Sequence, residues 1–504
     1  MTEEKKNVLF ELIRSKFEGK SVVLLGFGRE GQASYRVIRG IFPLMKLTIA
    51  DANDHIRTNP ILVADPNVDF LTGPGYLDQL SIFDIIIRSP GIIIWPFVGN
   101  QAHDVSIPER RHPDESDGTA TPIPDLANDP VFRHLIRRDQ ITSQTDLFLQ
   151  AYGSQVIGVT GTKGKSTTAA LICHILKTAG YDAILAGNIG NPVFHFAGAI
   201  TPETIIVFEL SSHQLEYLTR GPHIAVLLNL FQEHLDAYSS FESYQQAKLN
   251  IARCQVPGDL LVFNDADPLV AKHVALSGIA SDAIGFSADR ELPLGSFIRD
   301  GWIWYADRQG TKPVWKIHQD RFLRGDHNLK NIMAAIAVAR ILGIGDADIE
   351  DGIGTFKGLE HRLEYVGEFG GIHFYNDSIA TIPEACMEAV KAIPAVDTLV
   401  AGGFDRGIDY SGLSDFLAAS AIRNLILVGA AGKRIGKGME KAGIRDKKLF
   451  YINRFDDFCA IAFRETRPGH VCLLSPAAAS YDEFSNFEER GKRFRDLAGG
   501  NASR

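Results

Sequence analysis

Cysteine is scarce in this 504-residue chain: Cys173, Cys254, Cys386, Cys459 and Cys472 stand far apart, odd in number and without a C-x-x-C pair. That excludes a disulfide framework, offers no zinc-ligand spacing and fits a reducing compartment. Basic excess is missing as well. Lys and Arg number 52 against 61 Asp and Glu, a formal net charge of −9, so nothing provides the electrostatic footprint of nucleic-acid binding. Long apolar runs are absent too. The longest, 82–98, is broken by Asp84, Arg88, Pro90 and Pro96 and cannot span a bilayer. The first twenty residues mix Glu3, Glu4, Lys5, Lys6 and Glu11 with apolar positions and lack the apolar stretch of a secretory signal. No internal repeat or low-complexity tract occurs. What remains is a cytoplasmic globular protein with no nucleic-acid or membrane partner, long enough for about three domains.

Strand-like and helix-like runs alternate, which predicts an α/β fold with parallel sheets. The run 21–25 leads into Gly26-Phe27-Gly28-Arg29-Glu30-Gly31, a helical stretch, and then 47–50 ending at Asp51. This is a βαβ unit with a G-x-G-x-x-G turn and an acid about 20 positions on, the pattern of a dinucleotide site. NAD is one reading. A glycine turn at a helix N-terminus holds any diphosphate, however, a UDP-sugar included. Residues 97–137, with Pro108, Pro113, Pro122, Pro124 and Pro130 among polar residues, read as an exposed insertion without catalytic role. Strands are predicted at 83–87, 155–159, 205–210 and 224–229, an irregular stretch with Trp302, Trp304, Tyr305 and Trp315 at 289–324, and a helix at 328–342. A last block places strands at 398–401, 424–428 and 471–474, each ending in glycine, serine or proline, where parallel sheets put ligands.

The segment Gly158-Val159-Thr160-Gly161-Thr162-Lys163-Gly164-Lys165-Ser166-Thr167-Thr168 carries the strongest chemistry. Glycines let backbone N–H groups face phosphates, Lys165 can reach β/γ oxygens, and Ser166 or Thr167 can offer a hydroxyl to Mg²⁺. ATP is the predicted ligand. Val159 stands where strict P-loop spacing has glycine, so the loop is a T-G-T-x-G-K-S-T variant. A turn that binds nothing would leave Lys165 and the hydroxyls unexplained. Glu209, in Phe208-Glu209-Leu210-Ser211-Ser212, puts a carboxylate at a strand end near that Mg²⁺, or is a chance acidic end. His234, in Asn229-Leu230-Phe231-Gln232-Glu233-His234-Leu235-Asp236, is a candidate third ligand. Lys248, taken alone on its helix, reads as a solvated charge.

These segments, with Gly187-Asn188-Ile189-Gly190, Gly325-Asp326-His327-Asn328-Leu329-Lys330-Asn331, Gly358-Leu359-Glu360-His361-Arg362, Asn376-Asp377-Ser378, Leu474-Ser475-Pro476-Ala477-Ala478-Ala479-Ser480 and Asn486-Phe487-Glu488, are together similar to the Mur ligases over nearly the whole chain. Within that family the chain resembles the branch that adds glutamate to UDP-N-acetylmuramoyl-L-alanine. The resemblance implies a Rossmann-like UDP-sugar domain (1–152), a central P-loop ATPase-like domain (153–357) and a Rossmann-like amino-acid domain (358–504), closing around the reactants. It implies ATP at Gly161, Thr162, Lys163, Gly164, Lys165, Ser166, Thr167, Asn331, Arg362 and Asp377. The UDP-sugar falls to Gly28, Arg29, Glu30, Asp51, Asn188 and Ser211, and glutamate to Thr381, Arg406, Ser480 and Phe487. Mg²⁺ is implied at Ser166, Thr167, Glu209, His234 and a carbamate on Lys248, with catalytic work at Lys165, His234, Lys248, Glu209 and His361. The implied reaction is amide formation through an acyl phosphate, in peptidoglycan precursor synthesis, by a monomer. Departures fall at the amino-acid site and at the uracil end. Ile379 stands where these ligases carry a lysine, Arg406 replaces a second lysine, and Asp51-Ala52-Asn53 lacks the usual Thr-Arg after the aspartate. D-glutamate is the expected substrate and L-glutamate the alternative. A folylpolyglutamate-synthase-like ligase does not account for the first glycine turn, and an NAD oxidoreductase leaves Lys165, Glu209, His234 and Lys248 unexplained. A non-catalytic nucleotide scaffold is disfavoured because every expected ATP and metal position holds a competent residue.

Overall fold

Short runs of branched aliphatic residues, apolar at every position, form strands buried on both faces, as parallel sheets require. The computed structural model describes residues 7–94, 97–98, 136–187, 192–232, 238, 240–318, 322–323, 325–444 and 447–500. Most of the expected insertion (99–135), Asn188 and His234 lie outside the described residues. The first sheet takes β1 (Val22–Leu25), β2 (Leu47–Asp51), β3 (Val68–Thr72) and β4 (Ile85–Arg88); β5 (Phe97–Val98) and β6 (Ile136–Arg137) pair apart from it, and β7 (Ile141–Thr142) completes it. Its order is β3-β2-β1-β4-β7, all parallel. The direction of strand addition reverses at β1, so the glycine turn that follows β1 lies at the crevice where such sheets bind ligands. Gly31 packs its helix on that turn so closely that a Cβ would overlap the Gly26 carbonyl oxygen.

The central sheet comprises β8 (Val156–Thr160), β9 (Ala183–Gly187), β10 (Ile205–Glu209), β11 (Ile224–Leu227), β12 (Leu260–Asn264), β13 (Asp282–Ser287), β14 (Gly295–Arg299), β15 (Trp302–Asp307) and β16 (Gly310–Lys316). They stand in the order β16-β15-β14-β13-β12-β11-β8-β10-β9. Within the stretch expected to be irregular, residues 295–316 instead form strands: β14 joins β13 in parallel, and β15 and β16 fold back antiparallel. The turn Asp300-Gly301, with φ of 50° and 74°, has the positive dihedrals of a tight hairpin, and the Asp-Gly pair signals it. One apolar core joins the two sheets through Leu24, Ile49, Phe148, Phe208 and Leu227.

The remaining strands are β17 (Glu364–Phe369), β18 (Ile372–Asn376), β19 (Val396–Gly402), β20 (Asn424–Val428), β21 (Lys448–Ile452) and β22 (Val471–Leu474). Their order is β17-β18-β22-β19-β20-β21, antiparallel only at β17. Apolar cores centred on Leu399 and Leu473 and on Phe374 and Phe458 cover its two faces. The chain divides into two compact units, 1–321 with 326–354 and 322–325 with 355–504. No helix among the described residues is long and apolar enough to cross a membrane.

Candidate active site

β8 is buried throughout and lies between β10 and β11, so Glu209 and Asn229 emerge on either side of the loop 161–164. Gly161 and Gly164 have φ of 156° and 87°, and a Cβ on Gly164 would stand 2.5 Å from Asn331 Oδ1. Glycine at 164 is thus required both by backbone conformation and by the asparagine against it. The Thr162 N–H donates to the Asn229 carbonyl at 3.0 Å and the Lys163 N–H to Asn229 Oδ1 at 2.8 Å. These bonds pin the first half of the loop. The amides suited to phosphate are then those opening the helix Lys165–Thr178, which have no acceptor within the helix. The Thr162 side chain is also committed inward: its hydroxyl accepts from the Phe231 N–H at 2.9 Å and from Tyr244 OH at 3.1 Å. It braces the loop, and any contact of Thr162 with nucleotide falls to its backbone.

Lys165 Nζ donates to the Gly161 and Thr162 carbonyls, each at 3.0 Å. Of the two candidate hydroxyls, it is Ser166 that meets the carboxylate, donating to Glu209 Oε1 at 3.0 Å with both residues buried; Thr167 is half-buried. Lys248 is not a solvated charge. It is 2 % exposed, donates to the Gly161 carbonyl at 3.0 Å and lies 4.8 Å from the centre of the Tyr244 ring one helical turn earlier. A hydroxyl beside a carboxylate is a hard oxygen pair suited to Mg²⁺. Among the described residues no three His, Cys, Asp or Glu side chains gather as a metal cluster, and His234 is outside them.

At the first glycine turn, Asp51 accepts the Phe27 N–H at 3.0 Å and the Asn53 N–H at 2.9 Å. The acid of the G-x-G-x-x-G pattern therefore braces its own turn. Gly28 caps the helix that follows, and Arg29 is exposed. Glu30 accepts from Gln214 Nε2 at 2.9 Å, and burial pushes its carboxyl up to about 7. Ser211 and Gln214 form a capping box on the short helix Ser212–Leu215, their bonds 3.3 and 3.0 Å long. That S-x-x-Q signal was legible beside Glu209. Buried Arg88, which sequence reasoning did not single out, donates to the His213 carbonyl at 3.1 Å and pairs with Glu216 at 2.5 Å. It carries no motif; only the fold brings it there.

In the second unit Asp377 follows β18. Its carboxylate accepts from Ser475 Oγ at 2.8 Å and the Leu363 N–H at 3.2 Å, and burial pushes it up to about 7 against those bonds and the Arg362 charge. His361 is buried at φ 63°, its Nδ1 2.9 Å from Asn376 Nδ2, and burial lowers its pKa. Arg406 donates to the Thr381 carbonyl at 2.9 Å, which brings two glutamate candidates together. Ser480 is buried, and the Phe487 ring meets His361 edge-on at 6.3 Å. Arg362 and Arg406 are both exposed.

The family profile described as "Mur ligase middle domain" matches residues 159–339. The chain is 40 % identical to the UDP-N-acetylmuramoylalanine–D-glutamate ligase of Geobacillus kaustophilus over 483 residues, covering 95 % of this chain and 97 % of the relative. It is 33 % identical to the protein of the same name from Symbiobacterium thermophilum, with 95 % and 97 % covered. Among solved structures it is similar in fold to MurF from Acinetobacter baumannii (TM-score 0.53, 18 % identity, 71 % of this chain and 83 % of that one). It is likewise similar to the UDP-N-acetylmuramate–alanine ligase MurC from Thermotoga maritima (TM-score 0.50, 16 % identity, 96 % and 100 %).

Proposed function

This chain belongs to the Mur ligases, in the branch of the UDP-N-acetylmuramoylalanine–D-glutamate ligases, and from that membership we propose that it joins D-glutamate to UDP-N-acetylmuramoyl-L-alanine with cleavage of ATP, as a step of peptidoglycan precursor synthesis in the cytoplasm. The observation that carries the reading is the convergence of Lys165, buried Lys248 and the Ser166–Glu209 pair on one glycine loop. A carboxylate is a poor acyl donor. The γ-phosphoryl group is therefore transferred to the L-alanyl carboxylate oxygen, giving an acyl phosphate and ADP. The amine of glutamate attacks the acyl carbon, loses a proton, and the tetrahedral intermediate expels phosphate to leave the amide.

Lys165, the N–H groups at its helix start and Asn331, which lies against Gly164, orient the triphosphate. Ser166 and Glu209, with His234 and a carbamate on Lys248, would hold Mg²⁺; when bound, the ion offsets charge on the phosphoryl oxygens. The turn Gly28-Arg29-Glu30, braced by Asp51, takes the UDP moiety with Asn188 and Ser211. Arg362 and Asp377 serve the nucleotide and His361 the acyl phosphate. Thr381, Arg406, Ser480 and Phe487 bind the amino acid.

Phosphate release with UDP-N-acetylmuramoyl-L-alanine and each glutamate enantiomer in turn tests this. Turnover with D-glutamate is the expected result. Turnover with L-glutamate alone would move the chain to the other enantiomer, and turnover with neither would overturn the reading.

A further inference from the structure

Arg490 is 2 % exposed, on a helix, Phe487–Gly500, whose other buried residues are Gly491, Phe494 and Ala498. Burying a guanidinium is costly unless its donors are met. Here they are met by neutral oxygens. Nε donates to Ser378 Oγ at 3.0 Å and Nη2 to the Ser378 carbonyl at 2.9 Å. Nη1 donates to the carbonyls of Ala478 and Ala479, each at 3.1 Å. The Ala479 carbonyl also accepts the Phe404 N–H at 2.9 Å, and a Cβ on Gly403 would approach Nη1 to 3.2 Å.

Two segments distant in sequence therefore bond to one side chain, and a third lies against it. The first runs from Ser378 to Thr381, the second from Ala478 to Ser480, and the third from Gly403 to Arg406. Each ends in a residue assigned above to glutamate. We infer that Arg490 is a positioning residue for the amino-acid substrate: its planar fork bonds the segments that present Thr381 and Ser480 and lies against Gly403 of the segment that presents Arg406, which the Phe404 N–H ties to the same Ala479 carbonyl. The inference rests on the reading proposed above. Lysine cannot replace the fork, because one ammonium nitrogen cannot span carbonyls of two segments in the same plane.

The test compares Arg490→Met and Arg490→Lys with the unaltered protein by two readouts. Amide hydrogen exchange at Phe404 and across 378–381 and 478–480 reports the positioning without any turnover; at least tenfold faster exchange is expected in both variants. Steady-state kinetics should show the KM for D-glutamate raised at least tenfold in both, with KM for ATP and UDP-sugar within about twofold. A merely structural role would move all three constants together or none. Unchanged exchange, or a glutamate KM within twofold, overturns the inference. If Arg490→Met fails to fold, Arg490→Lys decides alone. An unaltered protein inactive with both enantiomers would instead refute the proposed function, while the exchange result still decides whether Arg490 ties the segments.

Discussion

Lys165 and Lys248 both donate to the Gly161 carbonyl at 3.0 Å. Two ammonium groups converging on one neutral oxygen repel each other, a repulsion that anions bound at the site would relieve. A triphosphate meets that need at Lys165. Lys165→Ala should lower turnover about 10²-fold or more, by removing a charge that meets the transferred phosphoryl group, with UDP-sugar affinity retained; near-normal turnover would refute the ATP assignment. At Lys248 the anion we propose is the carbamate itself. Lys248→Ala and Lys248→Arg should then both be inactive, since arginine keeps the cation but cannot form the carboxylate; an active arginine variant would sink the carbamate. Asp377 makes a different statement. Its carboxyl is pushed from an ordinary 3.8 up to about 7, so the folded protein keeps a proton that the unfolded chain has released. Its contribution to stability is therefore full below about pH 4 and is lost as pH rises through about 7. Asp377→Asn, which cannot ionise, should remove that part of the slope, on the order of a few kcal/mol. Thermal melts at pH 5 and pH 8 check this, and equal pH dependence in both proteins would mean that the buried carboxyl is ionised throughout.

Elements defined by local pattern were legible in the sequence, and elements defined by partners were not. β1, β8, β10 and β22 were visible because a strand buried on both faces has to be apolar at every position. The phosphate loop was visible because glycine, lysine and hydroxyls at that spacing have few other uses. The extension β14 to β16 was obscured by polar residues that an edge ribbon tolerates, although Asp300-Gly301 marked its hairpin. Asn229 bonding to Lys163, and Arg490 to Ser378, join residues 66 and 112 positions apart, and nothing local announces such pairs. Burial decided Lys248, whose neighbours in sequence suggest only a helix face. The glycine turn of the first sheet was legible in outline, but the reason for its last glycine is packing: a Cβ at 31 would overlap the Gly26 carbonyl. Gly31→Ala should therefore destabilise the first sheet by about 1–3 kcal/mol and raise the KM for UDP-sugar while leaving that for ATP nearly unchanged. A stable variant with ordinary UDP-sugar kinetics would show that helix and turn can separate without cost.

On the scale of the whole molecule, the residues proposed for the UDP-sugar and those proposed for glutamate divide between units that each have a core of their own. The phosphate loop, the first glycine turn and Ser211 all belong to the first unit, whereas Thr381, Arg406, Ser480 and Phe487 all belong to the second. Units with separate cores unfold as separate cooperative steps, and a ligand stabilises the step of the unit that binds it, by about 2.7 kcal/mol at a hundred times its Kd. The molecule carries its own reporter, because three of its four tryptophans, Trp302, Trp304 and Trp315, fall in the first unit. Calorimetry should then resolve two transitions, of which tryptophan fluorescence follows only one. UDP-N-acetylmuramoyl-L-alanine should raise the fluorescent transition, and D-glutamate alone should raise the other. Arg406→Ala should abolish the glutamate shift and raise the KM for glutamate about tenfold to a hundredfold, the cost of a lost charge-assisted pair, with the UDP-sugar shift intact. If glutamate moved the fluorescent transition instead, the amino-acid site would belong to the first unit, and the roles given to Thr381, Arg406, Ser480 and Phe487 would fall together.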